Sequence, residues 1–145
     1  MPYLKAKRTA IILSLSICAG GGDLVTGLLL IFAPKATLDL MQVPVPGELT
    51  FLRFVGCFVG TVGLSYFIGL ASWPSDGGAR LRAAWELTIF FRLAAAFFVA
   101  AQVFSGNLAW QWLSVPSVDT FWFLLQGVLL SLGIFDNRRN ENLDR

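Results

Sequence analysis

Asp23, Arg92 and Gln126 each stand inside a long apolar run, among leucine, phenylalanine, valine and isoleucine. A carboxylate, a guanidinium and an amide can form ion pairs and hydrogen bonds, and such groups are drawn together where water is scarce. Arg53, Gln102, Asp119 and Glu48 lie nearer the ends of these runs. Other chemistry has no foothold. The chain has no histidine, the commonest general base and metal ligand. Cys18 and Cys57 lie in separate runs and outside any CxxC-type pair, so the expectation is two inert core thiols and no metal site. Two carboxylates at different depths do not serve one reacting atom as acid and base. No catalytic residue is assigned, and no enzyme activity is expected.

The elements that position these groups follow from composition. Of 145 residues, 56% are hydrophobic and 14% charged, whereas a soluble domain is about half apolar and a quarter charged. The excess falls in blocks, as in an integral membrane protein. A hydrocarbon core about 30 Å thick takes roughly 20 apolar residues per helix. Four runs suffice, at about 10–32, 50–71, 83–104 and 117–135. The expected fold is an all-α, up-down-up-down four-helix bundle, one domain over 1–145. Lys5, Lys7 and Arg8 before "TAIILSLSICA" imitate a signal peptide, but the run continues through "LVTGLLLIF", so a retained helix is expected. The net charge of +2 gives no ground for a nucleic-acid partner.

"WPSDGGAR" reads as a tight turn between the second and third spans. Between the first and second, Pro34 ends a helix and "KATLDLMQ" can form a short interfacial one. Basic residues set the orientation. Lys5, Lys7, Arg8, Arg80, Arg82, Arg138, Arg139 and Arg145 fall on one side, and Lys35 alone on the other, with Arg53 just inside the second span. Both termini are therefore expected in the cytoplasm. Trp73 and Trp85 would mark the inner interface, and Trp110, Trp112 and Trp122 the outer one.

Each span carries one polar or small stripe. Gly20 and Gly27 flank Asp23 in the first, and Gly56, Gly60 and Gly63 share a face of the second. Small residues let backbones approach closely in lipid, so these glycines are expected to be packing surfaces within the chain. At 1.5 Å rise per residue, Asp23 lies about 13 Å from the outer end of its span, Gln126 about 12 Å and Arg92 about 20 Å. Arginine can snorkel outward, so these residues are expected to meet near the bilayer middle. Arg53, Asp119 and Gln102, with Glu48 above them, form a second, outer layer. A lone charge at a helix centre costs roughly 2.5–3.5 kcal/mol, so pairing is expected. Two readings of the inner layer stay open: a polar pocket, or an ion pair that fixes helix register. Glu86, one turn from Arg82, reads as half of a solvated pair.

The first helix ends "GLLLIFAP", and a proline-bearing turn leads into "FLRFVGCFVGTVGLSYFIGLAS". The third carries its basic residue in "FFRLAAAFFVA", and the fourth opens with "SVDTFWFLL". Over about residues 20–135 this resembles the DoxX-like group of small four-helix bacterial membrane proteins. Pro34, Arg53, Gly56, Arg92 and Asp119 carry the resemblance as structural marks. It implies a bacterial cytoplasmic (inner) membrane location. Some members of the wider group are membrane subunits beside redox enzymes, including a thiosulfate:quinone oxidoreductase, which implies a role near quinone chemistry.

The expected function is an accessory subunit packed against other integral membrane proteins, of a redox or electron-transfer complex by that resemblance. The many aromatics, such as Phe90, Phe91, Phe97, Phe98, Phe121 and Trp122, suit either protein contact or the lipid bilayer. The alternative is binding or passage of a small amphiphile, a quinone or lipid, at the Asp23–Arg92 layer. No cofactor is evident otherwise.

Overall fold

The computed structural model describes residues 2–45 and 47–136. Arg138, Arg139 and Arg145, counted above for orientation, lie outside the described residues. The fold is an all-α four-helix bundle, and no strand occurs among the described residues. In chain order it has α1 (Pro2–Phe32), α2 (Pro34–Leu40), α3 (Thr50–Asp76), α4 (Ala79–Phe104), a 3₁₀ turn (Trp110–Leu113) and α5 (Ser114–Ser131). Four of these segments are long and apolar enough to cross a membrane.

The ends of the helices differ from the apolar runs, for local reasons. Helix α1 reaches back to Pro2 through "KAKR", strong helix formers of which only Ala6 is apolar. Helix α3 continues through Pro74 to Asp76, although Pro74 has no N–H to give the Leu70 carbonyl. The turn shrinks to Gly77 and Gly78, with φ of 62° and 92°, values only glycine adopts freely. The Asp76 carboxylate accepts from the Gly78 and Arg80 amides and so caps α4. Helix α5 starts earlier than its apolar run and stops earlier, at Ser131. Gly133, at φ 71°, closes it: the Gly133 amide donates to Leu130 and the Ile134 amide to Leu129. That is a Schellman ending.

Arg8 then binds this ending, donating to the carbonyls of Ile134, Gly133 and Asp136. Arg82 bonds Asp136 at 2.7 Å, and Trp73 lies against Phe135. The starts of α1 and α4 and the ends of α3 and α5 therefore share one end, and the long helices alternate in direction.

Neighbours pack closely along α1–α3, α3–α4 and α4–α5, while the α1 and α5 backbones hardly approach each other. The α1–α3 contact is backbone on backbone. A Cβ on Gly20 would lie 2.6 Å from Tyr66 Cβ. One on Gly27 would strike the Gly60 backbone, and one on Gly63 would strike Leu24. A Cβ on Gly56 would come within 2.9 Å of the Gly27 carbonyl oxygen. Gly60 itself differs: its Cβ would meet only Gly27 Cα, at an ordinary 3.8 Å. Gly21 and Gly22 face open space, so of the "GGG" triplet only Gly20 is needed for packing.

Several side chains sit otherwise than their position in the sequence suggests. Cys18 and Cys57 are exposed rather than in the core, on helix faces turned away from the bundle. Trp85 is fully buried, with its indole N–H donated to Ser16 at 2.9 Å, so it is no interface marker. Trp122 packs beside Arg92 inside the bundle instead of standing in an outer belt. The Arg82–Glu86 pair forms at 2.8 Å on an exposed face.

Candidate functional site

Arg92 is the hub of the bundle's polar interior. It is 3% exposed, midway along α4, where neighbouring helices cover it. Its Nη2 donates to Asp23 Oδ2 on α1 at 2.5 Å, and its Nη1 donates to Asp119 Oδ1 on α5 at 2.9 Å. The Trp122 ring centroid lies 5.9 Å from the guanidinium carbon, within the range of a cation–π contact. Among the described residues, Arg92 Nε has no partner. Each carboxylate is held through one oxygen, and their side chains keep 19% and 18% of their surface exposed. One guanidinium thus bridges α1 and α5, two long helices whose backbones hardly approach each other.

Gln126 belongs to a second, adjacent network rather than to this cluster. Its Nε2 donates to the Tyr66 hydroxyl at 2.6 Å, and that hydroxyl shares a hydrogen with Thr88 Oγ1 at 2.7 Å. Thr88 donates onward to the Trp85 carbonyl, while the Trp85 indole reaches Ser16. All four helices contribute to this layer. Gln126 is fully buried, and its Oε1 has no partner among the described residues. The two networks adjoin on α4, where Thr88 and Arg92 stand one turn apart.

The outer layer does not assemble. Asp119 leaves it for Arg92. Gln102 instead accepts from Asn107 at 2.9 Å, on an exposed surface. Arg53 and Glu48 are exposed, and among the described residues neither forms an ion pair. The reason lies in how α5 begins. Counting depth from residue 117 omits the first residues of α5 and the 3₁₀ turn before it. At 1.5 Å per α residue and about 2.0 Å per 3₁₀ residue, Asp119 sits about 15 Å below Trp110. Asp23 sits about 13 Å below Phe32, and Arg92 about 18 Å below Phe104. Those depths match within an arginine's reach. By the same count Gln126 lies near 26 Å, beside Tyr66 and Thr88 at about 24 Å.

Tyr66 is the residue that sequence reasoning missed. A signal was present: it lies three residues after Gly63 on the small-residue face of α3. Arg8, by its position in the sequence an orienting charge, is another: it binds the carbonyls that close α5. No group of His, Cys, Asp or Glu among the described residues could hold a metal ion.

Helices, composition and buried charges together fit a small multi-pass membrane protein. No family model matches the chain, and no curated protein or solved structure matches it either.

Proposed function

We propose that the chain is a multi-pass protein of the bacterial cytoplasmic membrane in which the Asp23–Arg92–Asp119 cluster receives the polar head of a small amphiphile. The amphiphile, of the quinone or lipid kind, reaches it from the lipid between α1 and α5. One observation carries this reading: the carboxylates are partly exposed and half-used, deep along their helices, where α1 and α5 stand apart. An ion pair serving register alone would be closed off, since exposing charge to hydrocarbon is costly. In the same reading both termini are cytoplasmic, the basic end being the one that Arg8 and Arg82 share. The likeness to the DoxX-like group suits such a protein.

A second reading, an accessory subunit docked on other membrane proteins, is favoured by one feature. Phe51, Phe54 and Phe58 form an exposed row of touching rings on α3. Native mass spectrometry from lipid nanodiscs separates the two. Amphiphile binding predicts a solitary chain carrying one lipophile, which is lost in Asp119→Ala. A stoichiometric protein partner with no bound lipophile would favour the subunit reading. Orientation is checked with a single cysteine at Asn107 in a background lacking Cys18 and Cys57. An impermeant thiol reagent should label it on intact cells, and protection would reverse the assignment.

A further inference from the structure

We infer that the head group this site accepts is a protonated primary amine on an alkyl chain. The inference rests on the amphiphile reading above and adds its charge and hydrogen-bonding class. The cluster sets two carboxylates against one guanidinium. With all three ionised it carries an excess negative charge, which is costly within a membrane unless a cation joins it. Its unused atoms agree. Among the described residues no hydrogen bond reaches Asp23 Oδ1 or Asp119 Oδ2. Gln126 Oε1, fully buried and without a partner among the described residues, belongs to the deeper network and stands outside this cluster. Against these acceptors stands one donor atom with no partner, Arg92 Nε.

A primary ammonium brings one positive charge and three N–H donors. Two of its donors suit the free oxygens of Asp23 on α1 and Asp119 on α5, both held by the same guanidinium. An anionic head would add a negative charge beside two carboxylates. A quaternary ammonium would bring charge without donors, and an alcohol a donor without charge. The alkyl chain would lie between α1 and α5 toward the lipid, past Trp122 and Phe123, both half-buried on α5.

The test is a tryptophan-fluorescence titration in phosphatidylcholine nanodiscs at pH 7, where an alkylamine, with a pKa of about 10, is protonated. Dodecylamine, dodecyltrimethylammonium, dodecanol and dodecyl sulfate are compared. Dodecylamine should bind about 10-fold or more tightly than the others, because charge-assisted hydrogen bonds are the strong ones. Asp119→Asn should weaken the amine about 10-fold and leave dodecanol unchanged. If that variant does not fold, the ranking of the four probes on the wild-type protein still decides. Dodecanol or dodecyl sulfate binding best would overturn the amine assignment and leave amphiphile binding standing. No saturable binding of any probe would overturn both. Competition by added phosphatidylethanolamine would make the lipid head group the amine source, and its absence would make it a free amine. The assignment holds in either case.

Discussion

The α1–α3 and α1–α5 sides of the bundle are built by opposite means. Along α1–α3, Gly20, Gly27, Gly56 and Gly63 let the two helices lie in close contact. Along α1–α5 the backbones stay apart, and charged side chains span the gap: Arg92 to Asp23 and Asp119 in the middle, Arg8 to the end of α5. In lipid, apolar burial drives no association, so a helix pair is held by close packing or by polar bonds. This molecule uses one for each side of α1. The packed side fixes where α1 stands, and the bridged side is the one on which the proposed amphiphile would enter.

The largest effect should come from breaking the bridge. Arg92→Ala strands the Asp23 and Asp119 carboxylates, and removing one partner of a buried pair costs roughly 3–5 kcal/mol in soluble proteins. The triple change Arg92→Ala, Asp23→Asn and Asp119→Asn should recover much of that loss in thermal stability. A triple variant as unstable as the single one would mean the charges do not act as a unit.

Next comes the packed side. Gly27→Leu forces the α1 and α3 backbones apart and should cost about 3 kcal/mol, the upper end for overpacking. Gly22→Leu, in open space, should stay within about 0.5 kcal/mol of wild type. Gly60→Ala should be equally mild, for its Cβ meets nothing closer than 3.8 Å. Equal melting temperatures for Gly27→Leu and Gly22→Leu would remove the contrast between the two sides.

Smaller effects sharpen it. Arg8→Ala frees the carbonyls after α5 and should cost about 1 kcal/mol, as for a cation lost from a helix C-terminus. Faster amide exchange at the end of α5, with none in α3, is the accompanying sign. Gln126→Leu removes one hydrogen bond but also a buried acceptor with no partner, so the net change should be under about 1 kcal/mol. A loss above about 2 kcal/mol would show that Oε1 is satisfied by an ordered water.

The four helices were legible in the sequence because apolar runs of spanning length admit few other folds. The glycine faces were legible too, since spacings of three and four place residues on one helix side. The depth of Asp119 was not legible. It depends on where α5 starts, and the 3₁₀ turn at Trp110–Leu113 has no hydropathy signature of its own. Tyr66 and Trp85 were obscured by their apolar bodies: each counts as hydrophobic in a span, while its hydroxyl or indole N–H holds the inner network together.

The difference between the two sides can be measured as distances. Spin labels on exposed Val25 of α1, Phe58 of α3 and Val118 of α5 would report the separation of α1 from each neighbour. In a background lacking Cys18 and Cys57, double electron–electron resonance in nanodiscs should give a narrow Val25–Phe58 distribution, unchanged by dodecylamine. The Val25–Val118 distribution should be broader and should narrow when dodecylamine is added. Two equally narrow distributions, both indifferent to the amine, would contradict an α1–α5 side that opens to a ligand.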